Sequence, residues 1–326
     1  MPHISLDQIE QTVRRALAAH GAGAFAAAEV ARAVRKAESV GNKICGLYYV
    51  ESYCQQLRSG RVSGTVTPRV STPRSGAVIV DAGFGFAQPA FAHALPIALE
   101  AARGGGVASL AVCHAHTCTS LGFFTEQIAQ SGMIGLGFTN ASPIVAAPGG
   151  RARAIGTNPV AFSVPDGQGG IAMQFDQSTT TVALGKITMA KAAGERIPEG
   201  WALDAAGNPT TDPEEAIKGS LVSVGGPKGW GFGLMAEVLA AAMTGSVLSR
   251  DVAPLKAPEG APHDLGQYYL LIDPSVSSDF GDKMQTLAAH IAQDEGARMP
   301  GQKKTVMDPV EVGAETWALM EALAAG

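Results

Sequence analysis

Residues 185–229 read GKITMAKAAGERIPEGWALDAAGNPTTDPEEAIKGSLVSVGGPKG. The stretch is rich in glycine and proline and contains no long apolar run, so we predict mostly ordered loop rather than core. Loops of this length inside a compact domain are usually functional, because a merely connecting segment would be shorter. We therefore expect this stretch to form part of a ligand site in a fold whose class is set by the elements around it.

Helices are predicted near both ends of the chain, and strands occupy much of the middle. Ser5 and Gln8 form a capping box before a helix that runs to about Ala19. The patterns at 279–293 and 310–324 are also helical, whereas short apolar runs in the middle read as strands. We predict a mixed α/β fold. Residues 1–70 are expected to pack with residues 279–326, and residues 71–278 to form an αβ region.

Composition and charge exclude several classes of function. The 326-residue chain has a net charge of −5 and no run of Lys or Arg, which argues against nucleic acid and acidic membranes as partners. It has no stretch of about 18 apolar residues and no apolar segment near Met1, so we expect neither a membrane span nor a signal peptide. The cysteines are too few for a disulfide framework: Cys45, Cys54, Cys113 and Cys118. These features predict a cytoplasmic protein with a small-molecule ligand.

A strand, a Gly83-x-Gly85 turn and a helix follow one another, as in a dinucleotide-binding unit. However, Gln88 occupies the third glycine position, and the next strand, at 107–112, does not end in an acid that could bind a ribose. We therefore expect no Rossmann-type nucleotide binding at this turn.

His114, His116 and Cys118 alternate after an apolar strand. If the strand continued, its period of two would place all three on one face, which would suit zinc or another soft metal. No acidic residue lies nearby in the sequence to accept a hydrogen bond from a metal-bound histidine, and the hydroxyl residues around Cys118 are typical of a turn. We favour a ligand-contacting loop and predict no metal, with structural histidines as a further alternative.

The sequence GGPKGWG at 225–231 precedes a predicted helix. Glycines allow backbone amides to approach an anion, Lys228 adds positive charge, and a helix N-terminus favours phosphate or carboxylate. The spacing is not that of a P-loop. Anion binding is favoured over a plain glycine turn.

Asp176 follows an apolar run and precedes a series of hydroxyl residues in QFDQSTTT, 174–181. A carboxylate at the end of a strand can orient a catalytic group or cap a turn. The residues alone leave both readings open.

Four segments together resemble the type-II malate/L-lactate dehydrogenase family: AIGTNPVAFSVP, FDQSTTTVALGKI, GERIPEGWALDAAGNPTTDPEEAIKGSL and GGPKGWGFGLMAEVLAAAMTG. Weaker matches are VDAGFGFAQPAFAHAL and EGARMPGQKK. The family contains NAD(P)-dependent 2-hydroxyacid dehydrogenases and reductases of cyclic imino acids. The resemblance implies a homodimer and a non-Rossmann NAD(P)-binding fold, with a mixed, largely antiparallel sheet and helical terminal segments.

The resemblance also assigns binding residues to this sequence. Those expected to hold NADPH or NADH are His116, Thr117, Cys118, Thr119, Ser120, Asp176, Gln177, Ser178, Lys228, Arg298, Gly301 and Lys303. The resemblance also expects Thr157 and Asn158 to face the substrate, and Lys43, Tyr48 and Tyr49 are expected to face it from their place around Cys45. The basic residues of 298–304 favour NADPH weakly, because they could receive a 2′-phosphate.

The chain departs from the family pattern at the catalytic centre. The family usually has Ser-His-Gly followed three residues later by arginine, where the histidine donates a proton and the arginine holds the substrate carboxylate. Here Ile44 replaces the serine, Cys45 the histidine and Tyr49 the arginine, while Gly46 keeps the register. The predicted catalytic residues are Cys45, Tyr49 and Asp176, the last as the acid that orients the catalytic group.

This departure favours imine reduction over ketone reduction. Ketone reduction needs a proton donor with a pKa near the working pH, and an ordinary thiol is a poor one. A protonated imine already carries the positive charge, so its reduction needs no acid at that step. The alternatives are a 2-hydroxyacid dehydrogenase in which Lys43, Tyr48 or Tyr49 supplies the proton, and a nucleotide-binding family member that has lost catalysis.

Overall fold

The computed structural model describes residues 1–302 and 305–326. Ten α-helices lie in this part of the chain. They are α1 Leu6–Ala19, α2 Ala24–Ser39, α3 Val50–Ser59, α4 Ala87–Gly105, α5 Gly122–Gln130, α6 Leu184–Ala193, α7 Pro213–Lys218, α8 Pro227–Glu237, α9 Phe280–Ile291 and α10 Ala314–Ala325.

The strands of the described residues form three sheets. They are β1 His3–Ile4, β2 Arg69–Arg74, β3 Ala77–Asp81, β4 Val107–Ala115, β5 Ile134–Thr139, β6 Val145–Ala146, β7 Arg153–Ile155, β8 Val160–Pro165, β9 Ile171–Gln177, β10 Ala202–Leu203, β11 Pro209–Thr210, β12 Ser220–Leu221, β13 Leu265–Ile272 and β14 Val310–Glu311.

The main sheet has seven strands in the order β2-β3-β4-β13-β5-β8-β9. Only β3 and β4 pair in parallel, through the crossover helix α4, and every other neighbouring pair is antiparallel. Apolar side chains of these strands form one core with α4 and α5, centred on Phe91, Phe124 and Tyr269. The mixed α/β prediction is confirmed.

The first and last helices pack on one another. The capping box predicted at Ser5 is present, since its hydroxyl accepts from the Gln8 amide and the Gln8 side chain accepts from the Ser5 amide. Helix α10 packs on α1 and α3, and β1 pairs with β14, so the two ends of the chain share a second core. Helix α9 lies apart from that core and lines a groove with Pro165 and Met299.

The expectation of mostly ordered loop at 185–229 was wrong. This stretch carries most of α6, all of α7 and three short strands, β10 to β12, which join β6 and β7 in a five-stranded sheet through the pairing of β12 with β6. Its apolar residues are too widely spaced to show a period, yet Ile187, Ile197 and Leu221 converge with Val145 and Ile155 in a small core of their own. This core is formed by a few apolar residues that are far apart in sequence. A search for local hydrophobic periodicity therefore does not detect it.

No helix in the described part of the chain combines the length and the apolar character needed to cross a lipid bilayer.

Candidate active site

Cys45 lies in a pair of short 3₁₀ turns, Lys43–Cys45 and Leu47–Tyr49, between α2 and α3. Gly46 joins the two turns and packs directly against the side chain of Glu38, so closely that an added Cβ would overlap the Glu38 carboxylate. Glu38 Oε1 accepts a hydrogen bond from the Leu47 amide at 2.8 Å. Burial raises the pKa of Glu38, against the opposing effects of this bond and of Lys43. The buried carboxyl thereby fixes the backbone that carries Cys45.

Asp176 is the next-to-last residue of β9 and lies close to Cys45. Its Oδ2 accepts from the Gly122 amide at 2.7 Å and from the Ser120 hydroxyl at 3.2 Å. Ser120 and Asp176 line a cavity of about 220 Å³ together with Asn42. The structure thus brings the predicted catalytic residues Cys45 and Asp176 to one place, although they are far apart in sequence.

The Cys45 thiol and the Tyr49 phenol stay protonated at neutral pH. Burial and the negative charge of Asp176 raise the pKa of the Cys45 thiol to about 11, although a hydrogen bond with Asn42 opposes them. Burial, with smaller contributions from Cys45 and Tyr48, raises the pKa of Tyr49 to about 12. Neither group therefore has a pKa close to the range that suits a general acid at pH 7.

A row of aromatic rings runs inward from Tyr48. Its ring meets Tyr49 edge to face at 5.6 Å, and Tyr49 stacks on the buried Tyr53 at 5.8 Å. Tyr53 in turn meets His116 at 5.4 Å. Tyr49 therefore packs within the row, where the family pattern has a flexible cation.

His116 lies at the buried end of this row and is not free to exchange protons with bulk water. Its Nε2 is 2.6 Å from Gln56 Oε1, and its ring stacks on His263 at 3.9 Å. Burial, with the added effects of His263 and Arg61, lowers the pKa of His116 well below its ordinary value. Burial and the Arg61 charge lower the pKa of His263 to about 3. Both imidazoles are neutral at pH 7.

Sequence analysis did not find Gln56, Arg61 or His263. All three are buried polar residues whose partners come from distant segments. The sequence signal that could have revealed this cluster is Gln56, because a polar side chain on the buried face of a helix needs a hydrogen-bond partner.

The metal alternative is not supported by the position of its three side chains. Strand β4 ends at Ala115, and His114 has a φ of 52°, so the alternation stops before His116. The only group of three ligating side chains within 4.8 Å of one another in residues 1–302 and 305–326 is Asp81, Cys113 and His114. Its members already have partners: His114 Nδ1 lies 2.8 Å from Asp264, and Asp81 accepts from Arg69 and Gly83 at 2.8 Å.

The predicted substrate residues Thr157 and Asn158 lie in the buried link between β7 and β8. The Asn158 amide donates to Glu237 Oε2 at 2.7 Å and to the Gly233 carbonyl at 3.0 Å. The Thr157 carbonyl accepts from the Thr179 amide at 2.9 Å. These bonds hold the link to α8 and to the segment after β9. They also engage the Asn158 amide within the protein, and contact of Asn158 with a substrate stays a prediction.

The predicted anion site begins α8. Gly226 caps the helix with a φ of 62°, no side chain occupies the cap, and Lys228 is exposed in the first turn. The amides of this helix end are therefore available to an anion.

The segment near Arg298 reaches the main sheet at its β9 edge. Pro300 accepts from the Gln174 amide at 2.9 Å, and Gly301, at a φ of 83°, approaches the Gln174 backbone so closely that an added Cβ would lie 2.8 Å from its oxygen. Arg298 itself is exposed. The predicted contact at Lys303 lies outside the described residues.

The remaining predicted contacts already have hydrogen-bond partners within the protein. Thr117 donates its amide to His263 Nδ1 at 3.2 Å, and the Thr119 hydroxyl donates to the Cys118 carbonyl at 2.7 Å. The Ser178 hydroxyl is 2.9 Å from that of Thr180, beyond the strand end at Gln177. Lys43 is exposed and directs Nζ to the Glu311 carbonyl at 3.5 Å.

Ionisation of the thiols predicts a loss of stability above pH 9. Burial is the main cause that raises the pKa of Cys45 and Cys113 to about 11, and of Cys54 and Cys118 to about 12, from an ordinary value of 9.0. Between pH 9 and 11 the unfolded chain loses thiol protons that the folded chain keeps. Stability therefore falls as pH rises, by up to about 1.4 kcal/mol per pH unit for each thiol.

Thermal unfolding from pH 8 to 10.5 checks this expectation. The melting temperature should fall steadily above pH 9, and Cys54→Ala should reduce the slope of that fall. A melting temperature that stays constant to pH 10.5 would contradict it.

Comparison with known proteins places the chain in a family. The family model for malate/L-lactate dehydrogenase matches residues 4–313. The chain therefore belongs to the malate/L-lactate dehydrogenase family and is an oxidoreductase.

Two relatives and one solved structure show how close this relationship is. The chain is 38% identical over 303 residues to the (2R)-3-sulfolactate dehydrogenase (NADP(+)) of Chromohalobacter salexigens, covering 92% of this chain and 90% of the relative. It is 33% identical to the Δ1-pyrroline-2-carboxylate/Δ1-piperideine-2-carboxylate reductase of Pseudomonas putida, with 92% and 89% coverage. The crystal structure of Δ1-piperideine-2-carboxylate reductase from Pseudomonas syringae superposes with a TM-score of 0.91 at 29% identity, covering 99% of this chain and all of that one.

Proposed function

We propose that this protein is an NAD(P)H-dependent reductase of the C=N bond of a cyclic imino acid. The observation that carries the proposal is the side chain that lies near Asp176: a half-buried Cys45 thiol rather than an imidazole, with a pKa of about 11. The phenol of Tyr49, in the following 3₁₀ turn, has a pKa of about 12. Reducing a ketone leaves negative charge on oxygen and requires an acid, whereas a protonated imine becomes a neutral amine when its carbon accepts a hydride. A site without a suitable acid is therefore best matched to the imine.

The roles of the residues follow from their positions. Asp176 supplies a negative charge beside the cavity, which favours the positively charged iminium form of the substrate. The half-buried Cys45 thiol and Tyr49 phenol add no ionised group near Asp176 at pH 7. The two 3₁₀ turns, held by Glu38, keep Cys45 in place.

Residues present in the structure fit a nicotinamide nucleotide. The uncapped start of α8 with Lys228 suits a phosphate, and Arg298 with the 299–302 segment lies at the β9 edge near Gln174. When bound, NADPH or NADH supplies the hydride. We propose that binding does not use a Rossmann fingerprint, since the turn at Gly83 lacks the third glycine.

A 2-hydroxyacid dehydrogenase is the second candidate. The 38% identity to a (2R)-3-sulfolactate dehydrogenase supports it. In this case Tyr49, Tyr48 or Lys43 would have to donate the proton, and the phenol of Tyr49 would have to act despite its raised pKa.

A substrate comparison tests the proposal. The purified protein is offered NADPH or NADH with Δ1-pyrroline-2-carboxylate or Δ1-piperideine-2-carboxylate, and separately with pyruvate, oxaloacetate or 3-sulfopyruvate, across pH 6 to 9. Nucleotide oxidation is followed by absorbance. We expect turnover of the imines alone; turnover of the oxo acids alone would support the dehydrogenase, and tight nucleotide binding without any turnover would indicate lost catalysis.

We also propose a cytoplasmic homodimer in which residues 1–70 and 279–326 form one unit and residues 71–278 the other. Apolar side chains on and after α8 support association, because Phe232, Val238 and Met243 are each more than half exposed. Light scattering after size exclusion should give twice the chain mass of 33.3 kDa.

A further inference from the structure

The segment between α8 and β13 places a lysine against the aromatic rings that follow Cys45 in the chain. Lys256 Nζ lies 3.6 Å from the centre of the Tyr48 ring and 5.6 Å from that of Tyr49. Tyr49 ends the 3₁₀ turn that directly follows the turn carrying Cys45. The ammonium group is thus close to the segment that carries Cys45.

The backbone on both sides of Lys256 is held by buried side chains. Gln56 Nε2 donates to the Leu255 carbonyl at 2.9 Å and to the Ala257 carbonyl at 2.7 Å. Arg61 donates to Ala257 and, at 2.9 Å, to Ala261. Because these donors are buried, their bonds fix the backbone around Lys256 more firmly than that of an exposed loop without such bonds.

The lysines of this region differ in the partners that their ammonium groups already have. Lys36 forms an ion pair with Glu126 at 2.6 Å, and Lys43 points to the Glu311 carbonyl. Lys256 is exposed and forms no ion pair among residues 1–302 and 305–326. Lys43 forms no ion pair among these residues either, but Lys256 is the lysine whose ammonium group contacts the rings of Tyr48 and Tyr49, and it is available to an anionic ligand there.

We propose that Lys256 binds the carboxylate of the substrate and so determines specificity for cyclic imines that carry one. This inference rests on the proposed function and deepens it. Tyr48 and Tyr49 hold the ammonium group by cation–π contact until the ligand arrives, and the carboxylate then forms a charge-assisted hydrogen bond with it.

Paired substrates isolate the effect of the charge. For Lys256→Met, the KM for Δ1-pyrroline-2-carboxylate should rise about 10- to 100-fold, the range expected from losing one charge-assisted hydrogen bond. The kcat/KM for Δ1-pyrroline, which has no carboxylate, should stay unchanged. Lys256→Arg should restore most of the affinity because it keeps the charge, and Lys283→Met on α9 is the matched surface control. Melting temperatures show that each variant is folded.

Direct binding keeps this inference separate from the proposed function. Titration calorimetry measures pyrrole-2-carboxylate, a planar analogue, on protein loaded with NADP⁺, and requires no turnover. A Kd raised by Lys256→Met but not by the surface variant Lys283→Met supports the inference even if no imine is reduced. Equal Kd and KM for wild type and Lys256→Met, an effect confined to Lys43→Met, or no binding of the analogue by wild type would overturn it.

Discussion

Cys45→His should raise the rate of 2-oxo acid reduction about 10²- to 10⁴-fold, the usual contribution of a positioned general acid. An imidazole at this position would lie beside Asp176, whose carboxylate favours the protonated form and accepts hydrogen bonds from the Gly122 amide and the Ser120 hydroxyl. Histidine has an ordinary pKa of about 6.5, far closer to neutrality than the Cys45 thiol. The new activity should decline as pH rises through the imidazole pKa, since only the protonated ring can donate.

Stopped-flow measurement of NADPH oxidation with pyruvate and 3-sulfopyruvate provides the check. Cys45→Ser is the control, because it replaces the thiol without adding an acid in the neutral range, and it should leave imine reduction largely unaffected. A folded Cys45→His protein whose oxo-acid rate equals that of wild type would show that Cys45 is not at the position of proton donation.

Glu237→Ala should lower the free energy of unfolding by about 3–5 kcal/mol, as expected when a buried polar network loses its charged member. Glu237 is only 7% exposed. Its carboxylate accepts from the Asn158 amide at 2.7 Å, the Ser249 backbone amide at 2.6 Å and the Ser249 hydroxyl at 2.5 Å. Removing it takes one acceptor from each of these three donors, and it leaves the Asn158 amide with only its bond to the Gly233 carbonyl and so loosens the link that carries Thr157 and Asn158.

Urea unfolding followed by fluorescence measures this loss. Glu237→Gln should cost less, because its carbonyl oxygen can still accept a hydrogen bond. Glu214→Ala serves as the surface control, since its side chain is 57% exposed, and should change stability by no more than about 0.5 kcal/mol. A loss below about 1 kcal/mol in Glu237→Ala would mean that solvent or rearranged neighbours replace the carboxylate.

Local sequence signals predicted those parts of the structure that depend on nearby residues. The capping box at Ser5 involves residues three apart, and the mixed order of helices and strands follows from short periodic runs. The position of Asp176 at the end of a strand could also be predicted from the sequence, because an apolar run precedes it.

Long-range polar contacts could not be predicted in this way. The pairing of Gln56 with the loop around Lys256 and with His116 joins segments that share no local pattern. Likewise, the approach of Gly301 to Gln174 is set by the fold of the whole chain. The nearness of Cys45 to Asp176 was anticipated only because the sequence resembles a known family, since spacing alone gives no reason for it.

The central position of β13 has a consequence for the order in which the protein can fold. Strands β4 and β5 are synthesised early but do not pair with each other, because β13, Leu265–Ile272, lies between them. Until β13 has left the ribosome, the partial sheets β2-β3-β4 and β5-β8-β9 each have an unpaired edge strand. Unpaired edge strands can pair with other chains and so promote aggregation. We therefore expect nascent chains that end before Leu265 to depend on chaperones, whereas the full chain closes its sheet in a late step.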